Sequence, residues 1–316
     1  MSLVAKQKNK KVRFEGIKTI CHDIKKNKEL AWIALPVLLY YIIFCYLPMY
    51  GALIAFKNFS PKLGVFASPF VGFRHFSNLF TSPDFPEILR NTLVISFSNL
   101  IFGFPAPIIL ALLLNELDCL NLKKAVQNLT YLPHFISLVV VCGMIKSFTA
   151  ENGVITYIMT LFGAEAKSLL IYPQYFVPIY VISGIWQEIG WGSIIYIAAL
   201  TNIDPALIEA SKIDGAGRWK QFLNITLPGI IPTIITMLLL KIGGIINVGY
   251  EKIILLYNDS TMEVADVINS YSYRVGLIYR SWSFSSAVGL FNSVISFVLI
   301  LGTNYLSRKF CETSLW

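Results

Sequence analysis

Two charged residues stand alone inside long uncharged stretches, Glu188 and, further along, Lys241. Charge at membrane depth is costly, so such residues normally face a bundle interior or a watery path and handle ions or polar solutes. The blander possibility is that the two pair with each other, or that Lys241 snorkels to an interface on its long stem. Enzymatic chemistry is harder to find. No Gly-x-x-x-x-Gly-Lys-Ser/Thr loop is present, so ATP hydrolysis by the usual phosphate-loop route is not expected of this chain, and Gly215-Ala216-Gly217 is too short to serve. The three histidines, His22, His75 and His134, form no His-Glu-x-x-His pair for a catalytic zinc. Serines in the uncharged stretches, such as Ser96, Ser183, Ser193 and Ser296, lack a positioned histidine. Only Ser137 follows one closely, and hydroxyls bonding across packed helices explain them better. The five cysteines, Cys21, Cys45, Cys119, Cys142 and Cys311, have no paired spacing, so neither a disulfide framework nor a metal site is expected.

The elements that must position Glu188 and Lys241 follow from composition. Of 316 residues, 55% are hydrophobic and 14% charged, against about 25% charged in soluble domains. Uncharged residues gather in runs: Ala31 to Phe56, Thr92 to Asn115, Ala125 to Ile145, Ser168 to Gln187 continuing past Glu188 to Ile203, Leu223 to Leu240, and Ser283 to Ser307. A helix of about 20 apolar residues crosses the hydrocarbon layer. The runs therefore predict an all-α integral membrane protein with six transmembrane helices, at about 31–56, 92–115, 125–145, 174–201, 226–249 and 283–307. A β-barrel would need short alternating segments instead.

The net charge of +8 does not point to nucleic acid, because nine of the 26 Lys and Arg lie before residue 29 in a basic tail over 1–30. With six spans, the tail, Lys123 and Lys124, the loop 204–222, and Arg308 with Lys309 share one face, which holds sixteen of these charges against nine opposite. The positive-inside rule predicts that both termini, including the short tail 308–316, are cytoplasmic. Without the tail the count is seven against nine, so the orientation rests on the tail and on the shortness of the inner loops.

The most informative loop runs from Ile203 to Pro228. Asp204 can cap a helix begun by Pro205, which lacks the N–H that would be wasted there. Two turns follow, and Gly215 with Gly217 permits a sharp reversal before the next span. Its small residues, Ala206, Ala210, Ser211 and Ala216, suit packing into a protein groove better than anchoring in anionic lipid.

Glu209-Ala210-Ser211, Gly215, Ile225, Leu227 and Pro228 resemble the EAA signature of permease subunits of binding-protein-dependent ABC importers, with Ser211 in place of an alanine. Tyr131 to Ser137, Trp186 to Trp191 and Asn247 to Glu251 resemble the carbohydrate branch, in its polysaccharide and complex-oligosaccharide subgroup. The resemblance implies a type I importer (MetI-like) core. It also implies a second related permease, an ABC ATPase dimer and an extracytoplasmic solute-binding protein as partners, with membrane lipid around them. This chain would bind no cofactor, ATP and Mg belonging to the ATPase. It further implies that Glu209 contacts the ATPase, Gly215 makes the turn, Ala210 packs closely, and Asp204, Asp214 and Pro228 shape the loop's ends.

Such a permease needs two arrangements of its spans and a polar path open to one side at a time. Pro36, Pro48, Pro105, Pro107, Pro133 and Pro178 are candidate bends. A sugar presents hydroxyls and C–H faces together, which Trp186, Glu188, Trp191, Lys241, Asn247, Tyr250 and Asn292 could match, although Trp and Tyr also serve as interfacial anchors. The competing readings are a stand-alone secondary transporter or channel that uses Glu188 and Lys241 for coupling ions, and a membrane-embedded enzyme.

Overall fold

The computed structural model describes residues 28–310; most of the basic tail, with Cys21 and His22, and the last six residues, with Cys311, lie outside the described residues. Among the described residues every regular element is helical, with one isolated bridge between Lys57 and Phe70. Four helices are long and apolar enough to cross a membrane: Trp32–Phe56, Phe85–Asn115, Arg218–Gly243 and Trp282–Tyr305. Two bent pairs bring the number to six if each is one span.

The first long helix comprises α1 (Lys28–Tyr40), a π-helical turn over Tyr41–Tyr46 and a 3₁₀ stretch over Leu47–Phe56 that Pro48 helps to start. The second begins earlier than its apolar run, at Phe85, because Pro86 and Glu87 suit a first helical turn. It consists of α2 (Phe85–Ser98), a π turn over Asn99–Gly103, and α3 (Pro105–Asn115).

The run 125–145 is not one straight helix. The segment Leu120–Phe135, which contains α4 (Leu120–Tyr131), meets α5 (Leu138–Phe148) at 102°. Pro133 tightens the chain into a 3₁₀ turn, Ile136 is extended, and Ser137 starts the new helix by accepting a hydrogen bond from the Val140 N–H. By contrast α6 (Pro173–Thr201) carries Pro178 without a break; at 29 residues it is about 43 Å long. A 66° bend leads into α7 (Pro205–Ile213). The next long helix starts at Arg218 and its final part, α8 (Leu227–Gly243), ends before Asn247 rather than at 249. Gly243 and Gly244, a weak helix-forming pair, precede the turn. Short helices, among them α9 (Tyr250–Leu256) and α10 (Ile268–Tyr273), precede α11 (Trp282–Phe310).

The helices are joined by three apolar clusters. Ile108, Ala111, Tyr196, Leu200 and Ile230 bind α3, α6 and α8 near α7. At the other end Ile95, Phe176, Tyr180 and Val248 pack with Ile253 and Val267, while Ile88, Ile246, Ile268 and Val288 pack beside them. Polar groups stitch α2 to the irregular chain after α8. Asn91 Nδ2 donates to the Glu263 and Asp266 carbonyls, Thr92 Oγ1 accepts from the Ile268 N–H, and Ser96 Oγ donates to the Ile245 carbonyl. These bonds satisfy backbone groups that a helix would have paired internally.

Candidate functional site

The helix α7 is set by local chemistry. Asp204 is extended and its carboxylate accepts from the Ala206 N–H at 2.9 Å, Pro205 occupies the first turn, and Gly215 closes the far end at a φ of +75°. Only glycine takes that conformation without a Cβ penalty. None of the residues of α7 is buried. Glu209, Ala210 and Asp214 are exposed, Ser211 is half-buried and donates to the Ile208 carbonyl, and the apolar side chains of Leu207, Ile213 and Trp219 stand open. Below the helix start a cavity is lined by Asn202, Asp204, Leu207 and Pro228. Pro228 sits in the first turn of α8, after a π turn over Phe222–Thr226.

A second constellation lies between α2, α6 and α8, around a cavity of about 420 Å³. Glu188, Lys241 and Asn247 all line it, together with Asn99, Gln187 and Lys252. The π turn Asn99–Gly103 forms one wall, a position where such turns commonly re-aim side chains. Glu188 and Lys241 make no ion pair. Instead the Glu188 carboxylate meets His134 Nδ1 at 3.1 Å, and the imidazole lies flat against Trp191. That contact needs α4 close to α6, and Gly190 permits it: a Cβ there would strike the Thr130 carbonyl.

The remaining predicted residues distribute differently. Trp186 lines a separate, almost wholly apolar cavity of about 470 Å³ between α5 and α6, with Val141, Ile145 and Ile182. It precedes Glu188 by two residues, about 200° around the helix, so the two cannot share a face. Trp186 is therefore not part of the polar wall. Asn247 lies in the irregular chain beyond α8 and Tyr250 opens the short helix α9, so neither is in a span. Asn292 is 6% exposed and donates through Nδ2 to Asn247 Oδ1 at 2.9 Å and Asn269 Oδ1 at 2.8 Å.

Two groups went unnoticed in the sequence. Lys252, counted there with the outer loop, is 6% exposed. Its Nζ donates to the Tyr180 carbonyl at 3.0 Å and lies 4.8 Å from that ring's centroid. Burial pushes its ammonium down to about 8. Arg274 pairs with the buried Asp266 at 2.6 Å, and Ser270 Oγ donates to the same carboxylate. The only signal in the sequence is the placing of Lys252 directly before Ile253-Ile254-Leu255-Leu256.

The cavity sets the cations Lys241 and Lys252 beside the Glu188 carboxylate and the amides of Asn99, Gln187 and Asn247, while α7 stands exposed elsewhere on the bundle. Its relatives agree with that architecture. The chain is 44% identical over 294 residues to protein LplB of Bacillus subtilis (strain 168), covering 93% of this chain and 92% of that protein. It is 42% identical over 303 residues to the polygalacturonan/rhamnogalacturonan transport system permease protein YteP of the same organism, covering 96% and 94%. A solved bacterial ABC transporter involved in the import of the acidic polysaccharide alginate contains a chain that superposes with a TM-score of 0.86 at 42% identity, covering 93% of this chain and 99% of that one. The model of the binding-protein-dependent transport system inner membrane component family matches residues 30–310. The chain is a multi-pass membrane permease of ABC importers and belongs to that family.

Proposed function

We propose that the chain forms one half of the membrane passage of an importer for uronate-bearing oligosaccharides. It pairs with a second, related permease, takes its substrate from an extracytoplasmic binding protein, and does no chemistry itself, ATP hydrolysis belonging to an attached ATPase dimer. The two termini and α7 face the cytoplasm, as the basic tail favours. The observation that carries the reading is α7, capped at both ends and presented without a buried residue. A helix whose Leu207 and Ile213 stand open is suited to a groove on a partner, and Glu209 supplies the polar contact there. Asp204, Asp214, Gly215 and Pro228 fix its direction, while Ala210 and Ser211 allow close approach.

The charge of the solute follows from the inner cavity. Lys241 and Lys252 face it with one carboxylate, Glu188, which His134 already engages. An excess of cations suits a carboxylate-bearing sugar better than a neutral one. The names of two relatives, which include polygalacturonan/rhamnogalacturonan and the acidic polysaccharide alginate, support the same class. Family membership disfavours the stand-alone transporter or channel.

The test is reconstitution of the complete complex in liposomes with labelled trigalacturonate. Accumulation should require ATP and the binding protein. Uptake by this chain without an ATPase would overturn the reading.

A further inference from the structure

Beyond the inner cavity, at the end of the bundle remote from α7, lies a second cavity of about 560 Å³, whose mixed lining includes the apolar Ile54, Phe59 and Leu277. Flat rings of Tyr250, Tyr273 and Trp282 alternate in its wall with Asn269, Ser272 and Ser286, and no charged side chain lines it. The Tyr250 and Tyr273 rings stand 6.1 Å apart, tilted by 35°. Ring faces for C–H surfaces beside hydroxyl and amide groups are what the uncharged part of a glycosyl unit needs, and the volume falls in the range of small-molecule sites.

The two cavities meet at one seam. Asn247 lines the inner cavity and Asn269 the outer, and buried Asn292 donates to both. The backbone passes from one wall to the other between Gly249 and Tyr250. Asn292 Oδ1 is buried without a hydrogen-bond partner. The closed seam therefore leaves an acceptor unmet, which raises its energy relative to an arrangement in which a hydroxyl donor reaches that oxygen. Three neutral amides are also exchangeable partners for sugar hydroxyls, since each offers both donors and an acceptor.

We propose that the outer cavity is a second glycosyl-binding subsite in series with the inner one, and that Asn247, Asn269 and Asn292 form the latch dividing them. The inference rests on the importer reading above. An incoming chain would dock a ring against Tyr250 and Tyr273, and its hydroxyls would replace the amide bonds as the latch parts.

Cysteine accessibility in the reconstituted complex tests this, with labelling of the parent chain's own cysteines as the baseline. Ser286→Cys should react with a membrane-impermeant maleimide added on the binding-protein side, and trigalacturonate should slow that reaction. Asn99→Cys, in the inner cavity, should react slowly, and adding Asn292→Ala should speed it by about tenfold or more. Asn292→Leu, similar in length but without a donor, should do the same if the alanine variant folds poorly. Equal Asn99→Cys labelling with and without the Asn292 substitutions overturns the latch. Ser286→Cys labelling unaffected by trigalacturonate that the parent complex imports overturns the subsite. Lack of ATP-driven uptake in the parent complex overturns the importer reading instead, and the Asn99 comparison, which uses no sugar, still decides the latch.

Discussion

Trp191 lies flat over the imidazole of His134, with ring centroids 4.4 Å apart and planes 1° from parallel, and the Nδ1 edge of that imidazole reaches Glu188 at 3.1 Å. A residue from the sharp bend before α5 thus fixes the direction of the one carboxylate on the inner cavity. Removing the ring with His134→Ala should cost about 1 kcal/mol of stacking and release Glu188. The expected result is a thermal midpoint lower by a few degrees and weaker apparent affinity for substrate in uptake assays. His134→Asn should restore neither stacking nor stability.

The contact between α4 and α6 depends on a missing side chain. Gly190→Ala would drive a methyl into the Thr130 carbonyl, which cannot swing away as a side chain would. Overpacking of this kind costs roughly 1–3 kcal/mol, and yield of monodisperse protein on size exclusion should fall accordingly. Gly289→Ala, where a Cβ meets nothing within 4 Å, should be neutral or mildly stabilising.

At the other end of the bundle, Glu209→Ala should reduce co-purification of the ATPase by about tenfold or more, the loss expected when a central interface contact goes. Affinity of the binding protein for sugar should not change. Gly215→Val should act on the same measurement without touching Glu209, because a β-branched residue at a φ of +75° costs about 1–2 kcal/mol and re-aims the helix. Retained ATPase binding in both variants would contradict the assigned role of α7.

Lys252 carries a pH signature. Burial holds its ammonium near 8 in the folded chain, against 10.5 for an ordinary lysine. Between those values the unfolded chain binds more protons, so stability rises with pH across that window and the penalty of the buried charge is fully present below pH 8. The full difference is on the order of 3 kcal/mol. Lys252→Met should flatten the rise between pH 8 and 10 relative to the parent and leave the protein at least as stable at pH 7, as followed by thermal unfolding at each pH.

The Asp266 and Arg274 pair predicts an asymmetry. Asp266→Ala strands a guanidinium whose Nη1 is already unpartnered, and an uncompensated buried charge costs about 3–5 kcal/mol. Replacing both partners, as Asp266→Leu with Arg274→Met, should recover much of the loss. A double-mutant cycle read by thermal unfolding measures the coupling.

Sequence reasoning succeeded where signals are local. Asp204, Pro205 and Gly215 specify α7 by capping and turn chemistry that needs no tertiary contact. α6 also begins at a proline, Pro173, whose missing N–H is not needed in a first helical turn. In the run 125–145 composition is blind to direction: Pro133 and Ser137 are visible, yet their combined bend depends on Ile136 being extended. Trp186 was separable from Glu188 by helical arithmetic alone. Lys252 was not, since its burial arises from packing against Tyr180, far away in sequence.

The π turns have a consequence for chain length. Each holds one residue more than a regular α-helical ladder would, so a single deletion within Asn99–Gly103 would remove the extra residue between α2 and α3. One residue is about 100° of rotation. The cut would leave hydropathy nearly unchanged while turning α3 out of phase with α2, so that Pro107 and Ser96 would no longer line the same cavity. In these helices the number of residues is itself a dial, and residues with no side-chain role set which way the passage faces.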